Sequence, residues 1–385
     1  PNFTISGNVT IINNKCGSGN NSKTDNVFLY GSDSSWGTSF TSLISIGEAG
    51  LSTDSQIGVN TAVKPKTNKN TRIVSENDTN YASNFSSDDG YSVVYNQTTK
   101  QLELVSEHIH YLCGGVTTCT GVGGHSETDK VKFTEWDSST SLPYAAGNYY
   151  LTKDVELTSI WGPKTGTVLC LNGHSVTLKS VSSVESDYAV ISTLEQGNKD
   201  ITLTDCQPVG QQGSITHADG VYGPGAYITS DSKFQMFGGS ITGNTSLRNT
   251  AGGVSVNGTF KMYGGSITDN SSNGLYGVGG VSMGTSGQFE MYGGSITDNH
   301  VSSGDGIGGI KFYDLAKNLT LGGNVTITGN TAGNKNSNVY LDNHYTSQTI
   351  TVNDTLRSKS RIGVTSYNTP TADSPVAITT GGGNY

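Results

Sequence analysis

The chain has 385 residues, a formal net charge of −9, 52 glycines against 8 prolines, and 14% charged residues, well under the roughly 25% of an ordinary globular protein. Glycine without a G-X-Y period excludes collagen, and regular apolar spacing argues against a disordered linker. No apolar run approaches the roughly 18 residues of a membrane span, nothing resembles a signal peptide, and the acidic balance without a basic stripe makes nucleic acid an unsuitable partner.

In chain order, the first residues, Phe3-Thr4-Ile5, already lie inside a strand-like pattern. The chain therefore reads as a piece excised from a longer secreted or surface-exposed protein, in keeping with its Asn, Thr and Gly-rich composition. Residues 88–104 alternate around a polar turn and predict a hairpin that closes a first region, 1–105. Residues 106–139 form a Cys/His/Gly-rich connector. From 140 to 350 the sequence repeats itself. Phe234-Gln-Met-Phe-Gly-Gly-Ser-Ile-Thr-Gly-Asn244 recurs from Phe260 to Asn270 and from Phe289 to Asn299, with a looser copy from Leu319 to Asn330. The starting positions 234, 260, 289 and 319 step by 26, 29 and 30 residues. Residues 351–385 complete the chain as a cap and the start of a following connector.

Such a period is the mark of a repeat architecture. Within a copy, Phe260 and Met262 alternate with Lys261, Gly264-Gly265 turns the chain, and Ile267 points inward from a second short strand. Three short strands per repeat, glycine corners and no helix-forming stretch predict an all-β fold, a right-handed parallel β-helix with a small β cap and connector. Over 140–350 it would hold on the order of eight coils and span about 40 Å. Equivalent residues then stack, and Asn244, Asn270, Asn299 and Asn330 share one corner, where their amides can bond along the stack.

A longer period encloses this one. Phe3 to Asn14 matches Leu319 to Asn330, Asn26 to Leu29 matches Asn338 to Leu341, and Ser55 to Val59 matches Ser360 to Val364, with an offset of 316 residues at the start. Residues 1–80 are thus expected to duplicate the last coil and its cap, as in a tandem array whose partners include neighbouring repeat units of the same chain.

The strings Ala146 to Val155, Leu169 to His174, Leu203 to Cys206 and the Met-Tyr-Gly-Gly-Ser-Ile-Thr-Asp-Asn copies resemble large surface proteins of Gram-positive gut bacteria that carry tandem pectin-lyase-like parallel β-helix units. The resemblance implies a cell-surface location and, for most such proteins, no assigned activity. The pectin-lyase-like fold hosts lyases, glycosidases, tailspikes and adhesins alike, so the fold does not choose among them.

Several constellations bear on chemistry. In the connector, His110, Cys113, Cys119 and His125 have residue types and spacing that suit a structural tetrahedral zinc site, in which the metal supplies folding energy that a glycine-rich loop lacks. A Cys113–Cys119 disulfide with solvated histidines is the alternative in an exported protein. Cys170 and Cys206 occupy positions expected to look inward, either as a disulfide across coils or as two buried thiols. Asp269 and Asp298 fall in adjacent coils at a spacing that would suit a glycosidase pair, and equally at a turn where Asp bonds its own backbone. Phe237, Tyr263 and Tyr292 ladder beside the glycine corners, suiting either carbohydrate stacking or packing over those corners. The leading expectation is a non-enzymatic stalk or adhesin that meets a host or microbial surface glycan or protein. The alternatives are a polysaccharide lyase or glycoside hydrolase, and a carbohydrate-binding module.

Overall fold

Strand formation follows the alternation of the repeats. In Lys233–Met236, Thr259–Met262 and the first half of Gln288–Thr297 every second side chain is fully buried, and its neighbours face outward. The computed structural model describes residues 3–16, 23–33, 39–65, 70–106, 108–112, 130–180, 187–194, 198–207, 210–312, 319–342 and 348–380. Among them the chain is all-β, built on large parallel sheets, with a single helical turn of 3-10 type at Ala82–Asn84. The chain divides into two compact units, one within Pro1–Leu112 and Cys119–Phe133, the other within Cys113–Thr118 and Thr134–Tyr385.

In the second unit each repeat of the 234–330 region pairs in parallel with the next, with one shift of register between Met291 and Gly293 that takes up the extra residue of the last copy. Ile201, Phe234, Phe260, Phe289 and Leu319 form one inner column, and Leu203, Met236, Met262, Met291 and Leu321 a second. Ile215, Ile241, Ile267, Ile296 and Ile327 form a third on the strands after the Gly-Gly turn. Ala226, Val254, Val281, Ile310 and Val339 make a fourth on a separate parallel sheet. All these residues are buried in one continuous core. Because parallel ladders bring identical rungs to about 4.8 Å, like stacks on like: the rings of Phe234, Phe260 and Phe289 lie 5.5 and 4.7 Å apart, centroid to centroid.

The Gly-Gly corner is sterically required. Gly265 has φ of +85°, and a Cβ there would come within 2.6 Å of Gly239 O and 2.7 Å of Met236 Cε. A side chain at this position would be strained in backbone and in space alike.

The first unit holds a five-stranded sheet through Phe3–Gly7, Ile44–Leu51, Thr71–Val74, Gln101–Val105 and Ser92–Asn96, and a second sheet centred on Gln56–Thr61. Ser92–Asn96 and Gln101–Val105 form the antiparallel hairpin expected from residues 88–104. The internal duplication extends to individual hydrogen bonds. Gly7 and Gly323 both have positive φ at a break in register. Ser55 Oγ donates to Gly7 O at 3.0 Å and Ser360 Oγ to Gly323 O at 3.0 Å. The amides of Val9 and Val325 donate back to those hydroxyls. Asn26 Oδ1 accepts from the backbone and side-chain amides of Asn14, as Asn338 Oδ1 accepts from those of Asn330.

Phe260→Ala empties the centre of the first inner column, so it should lower the unfolding free energy by about 3–5 kcal/mol. Lys261→Ala, one residue away on the outer surface, should cost less than about 1 kcal/mol. Urea denaturation of both variants against the parent checks the contrast.

Candidate functional site

The corner column is the most completely bonded feature of the second unit. Asn244, Asn270, Asn299 and Asn330 are each fully buried. Each side-chain amide donates to the next Oδ1, at 2.9 Å from Asn244 to Asn270, 2.9 Å to Asn299, 2.8 Å to Asn330 and 2.9 Å on to Asn338. The same Oδ1 atoms accept the backbone amides of the preceding Asn residues, and the side chains also donate to Ile215 O, Ile241 O, Ile267 O and Ile296 O. One amide per rung thus satisfies the turn backbone and ties it to its neighbours.

His217 terminates this column, a role the sequence reading did not assign. Ala218 occupies the column position one rung before Asn244, and methyl can neither donate nor accept. The buried His217 ring fills in from the adjacent position: Nδ1 lies 2.7 Å from Asn244 Oδ1 and Nε2 2.7 Å from Tyr188 O. Burial holds the imidazole below its ordinary range, outweighing these two contacts and the nearby Asp187 carboxylate, which act in the opposite direction. The signal in the sequence is a histidine directly before the only copy whose column residue is alanine.

Asp269 and Asp298 sit at exposed turn positions with φ of +54° and +58°, and Gly243 and Gly329 fill the same column with φ of +68° and +73°. Asp is among the few residues that visit this left-handed region, by local hydrogen bonding, and Thr268 Oγ1 donates to Asp269 Oδ2 at 3.2 Å. The left-handed turn accounts for the presence of Asp at both positions. Phe237, Tyr263 and Tyr292 stack on one another, centroids 4.7 and 5.7 Å apart and planes within 24° and 16° of parallel. Stacking therefore covers both faces of Tyr263 and one face each of Phe237 and Tyr292, and Tyr292 Oη donates to Glu290 at 3.0 Å. Burial and the Glu290 carboxylate push the Tyr292 hydroxyl up to about 12.

Beside the aromatics runs an uncharged hydroxyl surface. Ser175/Thr177, Ser214/Thr216, Ser240/Thr242, Ser266/Thr268, Ser295/Thr297 and Thr326/Thr328 face outward, half-buried, on successive rungs. Hydroxyls bond along it, Ser214 to Ser175 and Ser266 to Ser240 at 2.9 Å each. Glu156 lies opposite Thr177 at one end and Arg361 opposite Thr326 at the other, and the exposed carboxylates of Asp269 and Asp298 border the row beside Thr268 and Thr297.

Of the connector ligands, Cys113, Cys119, His125 and the side chain of His110 lie outside the described residues; the backbone of His110 pairs with Val131. Metal-capable chemistry among the described residues includes a cysteine pair. Cys170 and Cys206 bring their Sγ atoms within 4.8 Å. Cys170 is buried as expected, whereas Cys206 is exposed: its strand, Asp200–Thr204, ends opposite Cys170, and the chain turns outward at Asp205. Burial, with a hydrogen bond to Cys206, pushes the Cys170 thiol well up.

No family model, no curated protein and no solved structure matches this chain. No helix among the described residues is long and apolar enough to cross a membrane.

Two outcomes follow from the corner. Asn270→Ala leaves Asn244 N and Ile241 O without the partners Asn270 supplied, which should cost about 3 kcal/mol or more, read by chemical denaturation. For His217 the folded value lies below the unfolded one, near 6.5. As pH falls through that unfolded value the unfolded chain takes up a proton the folded chain resists, so stability declines from pH 7.5 to pH 5.5. His217→Gln should flatten that part of the profile, measured as urea midpoints at the two pH values.

Proposed function

We propose that the second unit is a right-handed parallel β-helix of the pectin-lyase-like kind. On this reading the chain is a rigid, non-enzymatic repeat of a bacterial surface protein, a stalk or adhesin carried outside the cell. The observation that carries the reading is the continuous pairing of the inner columns, kept on both sides of the register shift between Met291 and Gly293, together with the fully bonded Asn corner. Each rung rests on its neighbours, so stiffness and stability accumulate along the stack in the manner of a one-dimensional solenoid. The hydrogen bonds that Ser55, Asn26 and Gly7 share with Ser360, Asn338 and Gly323 support a tandem array with like units as neighbours in the same chain.

The enzyme reading gains nothing from Asp269 and Asp298, whose positions the turn accounts for. For the adhesin's contact we favour the hydroxyl surface over the aromatic column, because it presents a long row of neutral donors and acceptors while stacking leaves the aromatic column only its two end faces. A neutral surface glycan is the partner whose chemistry suits such a face. Single-molecule extension of the chain should give cooperative unfolding at high force; piecemeal opening of rungs at low force would sink the stalk reading. On a glycan array the parent should bind neutral glycans and Thr242→Lys/Thr268→Lys should lose them. Equal binding by both would move the contact off this face, and depolymerisation of a bound glycan would overturn the non-enzymatic reading.

A further inference from the structure

We infer that Cys170 and Cys206 form a binding site for a soft, thiophilic cation of the zinc class, held by two thiolates at one edge of the second unit. The two sulfurs lie within 4.8 Å and are not joined. Two thiolates on one tetrahedral metal, each about 2.3 Å from it, sit roughly 3.8 Å apart. About an ångström of closure therefore reaches metal geometry, whereas a disulfide at about 2.05 Å demands much more. Exposed Cys206 can supply that closure by rotation, and it gives the ion a path from solvent. Buried Cys170 is the fixed anchor.

The supporting residues hold the two cysteine-bearing segments together. Asp205 Oδ2 accepts the backbone amides of Gly213 at 2.7 Å and Gly173 at 3.2 Å, and its Oδ1 accepts that of Gln207 at 2.8 Å. The carboxylate thus bridges the turn after Cys170 to the turn that carries Cys206, and its oxygens are engaged by backbone rather than aimed at the sulfurs. Asn172, at φ of +51°, donates through Nδ2 to Leu151 O at 3.0 Å. Its Oδ1 accepts from Cys206 Sγ at 3.2 Å and from Gln207 Nε2 at 3.1 Å. When the thiol proton leaves, that oxygen is a neutral donor beside the Cys206 sulfur. Binding converts two thiols to thiolates and releases two protons for each divalent ion taken up. It also offsets the burial that otherwise keeps Cys170 protonated.

The test uses the full 385-residue chain, reduced, in a Cys113→Ser/Cys119→Ser background that removes the connector sulfurs. Cobalt(II) serves as the spectroscopic stand-in for zinc. A sulfur-to-cobalt charge-transfer band should appear, zinc should displace it, and Cys206→Ser should bind cobalt at least about tenfold more weakly and lose the band. Cys206 is exposed and Cys170 buried, so the substitution is placed at Cys206 to spare the core, and circular dichroism of both proteins checks that the fold is kept. Absence of the band in the Cys113→Ser/Cys119→Ser protein, or its survival in Cys206→Ser, would overturn the site.

Discussion

The stack depends on what happens to backbone polar groups at its corner. Parallel pairing satisfies the strands, but a turn packed against a core leaves amides and carbonyls with no strand to bond. An unpaired buried group of that kind costs about as much as a whole hydrogen bond contributes. The Asn column answers this rung by rung: one side chain accepts the backbone amide of one rung, donates to a carbonyl, and passes a bond to the next Asn. The inner columns of Phe, Met and Ile can then be apolar without exception, since no polar group needs to enter the core.

This arrangement explains why the ends of the column differ from its middle. A middle rung receives and gives the same bonds, so the same residue serves each time. The first rung has no Asn before it, and the His217 ring sits between Asn244 Oδ1 and Tyr188 O, its one neutral-state N–H serving one of the two. The last passes to Asn338, which reproduces the Asn14–Asn26 contact of the first unit. In that unit Asn26 donates in turn to Asp88 at 2.7 Å, so a carboxylate closes the chain of amides there.

Much of this was legible in the sequence. Phe234, Phe260 and Phe289 declare their column by recurring at fixed offsets, and the Asn positions do so as well. Periodicity reports any residue whose neighbours above and below are its own copies. It fails where a residue acts once. His217 stands where the later copies carry Gly or Asp, and its role follows from Ala218 lacking an amide. Cys206 was expected to look inward by strand alternation, yet the strand stops at Thr204 and Asp205 bends the chain out. Phe237, Tyr263 and Tyr292 align in sequence, but whether rings present faces or edges is set by side-chain rotation, which a list of positions does not encode.

The bonds from one Asn side chain to the next all run one way, amide to carbonyl oxygen toward the C-terminus. The column therefore has a head that must be given a donor and a tail that must be given an acceptor, and an interior indifferent to its own length. Insertion or loss of a whole rung leaves every interior contact intact, while a fragment of a rung breaks the sequence of bonds. Length in such a protein can change by duplication of entire repeats at little structural cost, while the two termini of the column need residues of their own, His217 at one and Asn338 at the other.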